Sequence, residues 1–306
     1  MITTMGQIFN ALLRPGRHFS LYLVLILLVP ACASTPEGPL SANNALLWKI
    51  EKNNLAPSYL YGTIHSDDPR IVDVASVVVE AISNTQTFAM EMVIDTETEQ
   101  KAGMSLFFRD GRTLDRVAGK DLYQRTINAL AKRGIETQIA RMMKPWGAYS
   151  ILNMPEAQTK VFLDVVLMNK AREFDKNIIG LETVEEQIAT FDSLDMSIQL
   201  DLLETCLDNM ELLQMLLKES IEVYLDRDLV GIEHLNERFM QLSSPDAAKV
   251  FDHKVIVERN KRMVKRSLPL LNKGTVFIAV GALHLPGDSG LISMFRSQGY
   301  TLTAVY

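Results

Sequence analysis

The chain has 306 residues, 47% of them apolar and 22% charged, with a formal charge of −6. That balance supports a sizeable core in one large or two ordinary domains and excludes a disordered tail or a fibre. No basic stripe or arginine-rich arm is present, which argues against nucleic acid as a partner.

The first element in chain order is a targeting segment. Arg14 and Arg17 precede the apolar run Phe19 to Val29, which leads into Pro30-Ala31-Cys32-Ala33. About eleven helical residues cover roughly 16 Å, well short of the ~30 Å hydrocarbon core, so the run reads as an export signal rather than a membrane span. Residues 1–31 hold two arginines and no acid, so their removal takes the charge from −6 to −8. Ala31 and Ala33 suit ordinary signal peptidase. Cys32 stands where the lipid-modified cysteine of bacterial lipoproteins stands, with Val29 and Pro30 as imperfect upstream positions, and Ala33 rather than Asp after it resembles the outer-membrane sorting pattern. The expectation is a signal over 1–32 with Cys32 lipidated, and a periplasmic protein attached to the outer membrane by that anchor. Soluble export is the main competing outcome, and an uncleaved anchor is the third. If Cys32 carries lipid, Cys206 is the remaining thiol and no intramolecular disulfide can form; its apolar helical setting reads as a small core residue.

Residues 33–45, rich in Ser, Pro, Gly and Asn, read as a tether, and the domain proper spans 46–306. Leu47 to Ile50 and Ser58 to Gly62 read as a hairpin turning at Lys52-Asn53-Asn54. Val72 to Ile82 has helical periodicity, and Thr87 to Met92 reads as a buried strand with Glu91 embedded in it. Short helices follow from Leu114 to about Ile151, with Asp115 and Thr137 as candidate caps and Gly134 as a stop. Val161 to Phe174 reads as a helix, and Asn177 to Glu182 as a short strand ending in an acid. Leu200, Leu203, Leu207, Met210, Leu217, Ile221 and Tyr224 recur at three- and four-residue steps between Met196 and Leu242, which indicates a core-facing helix or helical hairpin, with a homodimer-forming coil as the alternative. Asp246 to Ser267 forms one more helix. The chain closes as strand, glycine turn, helix and strand over Thr275–Val280, Gly287–Gln298 and Tyr300–Val305. The fold class expected is α/β, a mixed sheet built from the two sequence ends with a helical insertion over about 114–267.

Two segments share one design. Tyr59-Leu60-Tyr61-Gly62-Thr63-Ile64-His65 and Val276-Phe277-Ile278-Ala279-Val280-Gly281-Ala282-Leu283-His284 each run from a β-type stretch into Gly-x-x-His. Glycine lets the backbone leave the sheet where a larger residue would resist, and the C-terminal ends of strands are where α/β sheets bind ligands. Glu91 and Glu182 stand in apolar company, where an ionised carboxylate is costly unless it meets a cation, a metal or donors. Two histidines with one or two carboxylates suit Zn, Mn, Co or Fe with positions open for water. Such a centre activates water and polarises a carbonyl, so hydrolysis is the reaction type that follows, with a carboxylate as general base. Arg259 and Asn260 are candidates for stabilising an oxyanion or orienting a ligand carboxylate. His234 and His253 lie among charged residues and read as solvated, and His18 leaves with the signal. No Gly-x-Ser-x-Gly, P-loop or His-Glu-x-x-His pattern occurs.

These residues, with Leu47-Trp48-Lys49-Ile50, Leu163-Asp164, Lys176, Gly180-Leu181-Glu182-Thr183 and Gln187, resemble the TraB/GumN family, which includes pheromone-shutdown proteins and is similar to the Tiki proteases. The resemblance covers essentially Leu46 to Tyr306. It implies a divalent-metal-dependent hydrolase (Zn, Mn or Co) acting on a peptide or amide bond, with an α/β fold of two related halves. By the same resemblance His65 and His284 are metal ligands, Glu91 and Glu182 ligand or base, and Arg259 and Asn260 supporting or substrate contacts. Pro286 after the second motif is positioned to reshape its loop. The rival readings are a non-catalytic lipoprotein binding a metal, haem or a small signal molecule, and an envelope assembly partner working through the helical insertion.

Overall fold

The computed structural model describes residues 44–53, 55–154 and 161–306. The expected signal, Cys32 and most of the tether lie outside the described residues. Among those described, six strands form one sheet: β1 (Leu47–Glu51), β2 (Ser58–Thr63), β3 (Thr87–Met90), β4 (Asn177–Gly180), β5 (Val276–Gly281) and β6 (Thr301–Ala304), in spatial order β4-β3-β5-β2-β1-β6. β4, β3, β5 and β2 run parallel, while β1 is antiparallel to both β2 and β6. The architecture is the mixed α/β fold read from the sequence.

The helices are α1 (Pro69–Val72), α2 (Ser76–Ser83), α3 (Thr96–Ser105), α4 (Leu114–Lys132), α5 (Thr137–Met142), α6 (Pro145–Leu152), α7 (Leu163–Glu173), α8 (Val184–Asp192), α9 (Met196–Asp208), α10 (Met210–Leu225), α11 (Leu229–Met240), α12 (Pro245–Asp252), α13 (Glu258–Lys273) and α14 (Leu291–Ser297). Several boundaries correct the sequence reading. β3 stops at Met90 and β4 at Gly180, so Glu91 and Glu182 follow their strands rather than sitting in them. Thr113 and Glu136, not Asp115 and Thr137, occupy the N-cap positions of α4 and α5. Gly134 does end a helical stretch, at φ +77°, where a side chain would be strained. The stretch from Met196 to Leu242 is three helices, broken at Asn209 and at Arg227, which has φ 59°. α12 continues through a π-turn at His253–Val257 into α13.

Two apolar cores hold these elements. One centres on the sheet, where Phe88 and Phe277 stack at 5.6 Å beside Trp48 and Ile278. The other is helical and includes Trp146, Phe191, Leu203, Phe239 and Phe251. Cys206 is buried in the helical core, where loss of water pushes its thiol up to about 12, an inert structural cysteine. The C-terminal ends of the four parallel strands face the seam between the two cores. Residues from both border the cavities there: Met90, Ile94 and Trp146 in one, Phe191, Tyr224 and Val255 in the other.

Candidate active site

Four adjacent parallel strands each deliver one candidate residue just past their ends: His65 after β2, Glu91 after β3, Glu182 after β4 and His284 after β5. β2 and β5 are direct neighbours, paired with Gly62 opposite Val280 and Thr63 opposite Gly281. This pairing closes a separation of more than two hundred residues. Both motif glycines serve close approach. A Cβ on Gly62 would lie 3.0 Å from Ala282, and one on Gly281 would lie 3.3 Å from Glu91 Oε1. Gly281 N–H instead donates to Glu91 Oε1 at 2.8 Å.

His65, Glu91, Arg259 and His284 border one cavity, and the first three also border a second. Each imidazole is held through Nδ1. His65 Nδ1 lies 2.6 Å from Asp164 Oδ2, while Asp164 Oδ1 accepts from Thr63 Oγ1 at 2.9 Å. His284 Nδ1 lies 2.7 Å from Asn260 Oδ1. Asn260 Nδ2 donates to the carbonyls of Ser289, at 2.7 Å, and His284, at 3.3 Å, so its Oδ1 must be an acceptor. His284 therefore carries its proton on Nδ1. Burial, aided by the positive charge of Arg259 and opposed by Glu91, depresses its pKa to about 4, so the ring is neutral at pH 7 with its lone pair on Nε2. That lone pair lies 3.6 Å from Glu91 Oε1. Two acceptors thus face each other. For His65, burial opposes protonation, but the Asp164 carboxylate outweighs it and raises the pKa above the ordinary 6.5.

Glu91 and Glu182 share a buried arginine. Arg259 Nη2 reaches Glu91 Oε2 at 2.5 Å and Glu182 Oε2 at 2.7 Å, and its Nε donates to Glu182 at 2.8 Å. Arg262 takes the other Glu182 oxygen at 2.5 Å. Burial would raise the Glu91 pKa, but Arg259 and the Gly281 N–H hold its carboxyl well below the usual range. Arg266 pairs with Glu186, so this row of charges is balanced. Asp164 is the negative charge left over unless His65 is protonated.

The geometry separates the roles expected from the sequence. His65, His284, Glu91 and Arg259 are brought to one cavity. Glu182 is not: it borders neither cavity, and both its oxygens are paired with arginines, Arg259 and Arg262. Asn260 also borders neither and acts through His284. Arg259 points its guanidinium at two carboxylates and compensates their charge. His234 and His253 are exposed.

Sequence reasoning gave no site role to Asp164, Arg262, Gln187 or Tyr224. Asp164 shows the same signal as Glu91, an acid in an apolar run, here Leu163 to Met168. Arg262 lies three residues after Arg259 on the same helical face. Gln187, at 3.4 Å from both Glu91 and Glu182, and Tyr224, whose hydroxyl donates to the Gly62 carbonyl at 2.8 Å, carry no local signal.

A family model for the TraB/PrgY/gumN family matches residues 46–304, and the chain belongs to that family. Its relatives include a metalloprotease TIKI homolog of Amphimedon queenslandica, 24% identical over 336 residues that cover 92% of this chain and 66% of the relative. Metalloprotease TIKI1 of Xenopus tropicalis is 26% identical over 357 residues, covering 92% and 68%, and metalloprotease TIKI1 of Homo sapiens is 24% identical over 349 residues, covering 90% and 67%. The chain spans about two thirds of the length of the curated relatives it matches. No solved structure matches it.

Proposed function

We propose that this chain is a metal-dependent hydrolase of the cell envelope that cleaves a peptide or amide bond. The observation that carries the reading is the facing pair of acceptors, His284 Nε2 and Glu91 Oε1, 3.6 Å apart, with the Gly281 N–H on Glu91 Oε1 and no donor hydrogen between the two. A divalent cation held between them would take a lone pair from each. The donor chemistry fits: two imidazoles and a carboxylate, each imidazole tied by Nδ1 to an acceptor behind it, as metal-binding histidines are. Among the described residues no three His, Cys, Asp or Glu side chains already converge tightly enough to hold an ion, so His65 would complete the set by a local adjustment across the shared cavity.

His284, Glu91 and His65 would hold the ion, Zn, Mn or Co. When bound, it supplies a Lewis acid for the substrate carbonyl and lowers the pKa of water. Asn260 and Asp164 keep the Nδ1 protons in place and so present each Nε2 to the cavity. Arg259 offsets the charge of Glu91 in the metal-free chain, and Glu182, itself paired with Arg262, fixes the position of the Arg259 guanidinium at the cavity wall. The names of the relatives support a protease. The Arg14–Val29 segment and Cys32 support export and a lipid anchor, which fractionation of a Cys32→Ser variant tests: the variant should leave the membrane fraction.

Elemental analysis of the purified chain tests the metal. His284→Ala and His65→Ala should each lose the bound divalent ion and, with it, turnover of a peptide library. Unchanged metal content in both variants would overturn the reading.

A further inference from the structure

We infer that the cavity behind His65 and His284 is a side-chain pocket that selects an aliphatic substrate residue next to the cleaved bond. The inference rests on the hydrolase reading above. The cavity, of about 80 Å³, is divided chemically. Its ionisable lining is His65, Glu91, Arg259 and His284. Hydrocarbon comes from Ile232, Val255, Ile256 and Leu283, and the Thr63 hydroxyl, also on the lining, is spent on Asp164. Ser220 and Tyr224 also face it, but Ser220 Oγ donates to the Leu217 carbonyl at 2.9 Å and the Tyr224 hydroxyl to the Gly62 carbonyl. Their donor hydrogens are used, so these hydroxyls offer a polar substrate group little to bind.

Glu91 and Arg259 pair at 2.5 Å in the metal-free chain, and with an ion held at the imidazoles that place is taken by the bond to be cleaved, so the hydrocarbon lining decides which side chain fits. A charged residue entering the pocket would lose its water and meet no unpaired partner, whereas an aliphatic one gains from leaving water. The rest of the substrate has another exit. The neighbouring cavity shares His65, Glu91 and Arg259 with this one, and shares Ser105 and Ile188 with a broad groove of about 870 Å³ beside Phe107 and Phe108. A chain laid along that groove reaches the imidazoles with one side chain pointing into the apolar pocket.

The test is calorimetric titration of the Co²⁺-supplied full chain with leucine hydroxamate and glycine hydroxamate, alongside turnover of peptides varied at single positions. The leucine compound should bind at least about tenfold more tightly, the scale on which apolar pockets discriminate by added methylenes. Ile232→Phe, which fills the pocket, should abolish that preference. Ile232→Ala, which removes bulk and keeps the test intact if the larger residue is not tolerated, should extend it to phenylalanine hydroxamate. Equal affinity for the leucine and glycine compounds, binding of neither, or tighter binding of aspartate hydroxamate overturns the pocket. A leucine preference without hydrolysis of any peptide supports the pocket and overturns the hydrolase reading instead.

Discussion

The two histidines end the same Gly-x-x-His motif on neighbouring parallel strands, yet their proton affinities diverge. His65 has a carboxylate, Asp164, behind Nδ1 and binds its proton more tightly than an exposed imidazole; His284 has an amide, Asn260, and is held down to about 4. Burial penalises the charged form of both rings, so the difference lies in the acceptor behind them. The shared Gly-x-x-His pattern therefore specifies where an imidazole goes, while a residue from a distant helix specifies its charge.

The harshest way to break this contrast is Arg259→Gln. It leaves Glu91 and Glu182 without their shared cation, and stranding buried charge costs about 3–5 kcal/mol, measurable by denaturant unfolding. Glu91, no longer compensated, would also raise the pKa of both rings. A stability loss near zero would show that the arginine is dispensable.

Exchanging the acceptors sharpens the contrast. Asp164→Asn should lower the His65 pKa, and its lost charge-assisted bond should cost about 1.5–3 kcal/mol. Asn260→Asp should raise the His284 pKa. Imidazole NMR titration of the metal-free chain reads both, and His65 unmoved by Asp164→Asn would refute the assignment.

The same pair predicts opposite pH dependences for the metal-free chain. The folded pKa of His284 lies below its ordinary 6.5, so the unfolded state takes its proton first and stability falls as pH drops from about 6.5 towards 4. Glu91, also depressed, acts in the same direction at lower pH, losing its contribution as pH falls below the ordinary carboxylate value of 4.5. His65, raised, contributes stability below 6.5 that is lost as pH rises through its folded value. Thermal melts across pH should show the acid-side loss relieved in Asn260→Asp; an unchanged profile would count against the depressed His284.

The smallest effect belongs to Tyr224→Phe, which removes the hydroxyl held between Gly62 O and Tyr61 Oη. The loss should be about 0.5–1.5 kcal/mol, with the two histidine pKa values left in the same order.

The α/β class and the strand-end placement of both histidines were legible because strand periodicity and glycine are local signals. Glu91 and Glu182 were visible as acids in apolar company. What divides them was not: a charge in an apolar run indicates that a partner exists, and Arg259 with Arg262 comes from a helix some eighty residues beyond Glu182. Asp164 carried the same signal and still gained its role only through packing, since α7 brings it to Thr63 and His65 across about a hundred positions.

By itself the amino-acid order determined the elements that bear the chemistry, because strand, turn and helix preferences are settled over a few neighbouring residues. Only the tertiary structure decided which imidazole stays neutral, which carboxylate faces the cavity and which is consumed by arginines. Those properties depend on burial and on charges a few ångströms away in space, and neither is encoded in any short stretch of chain.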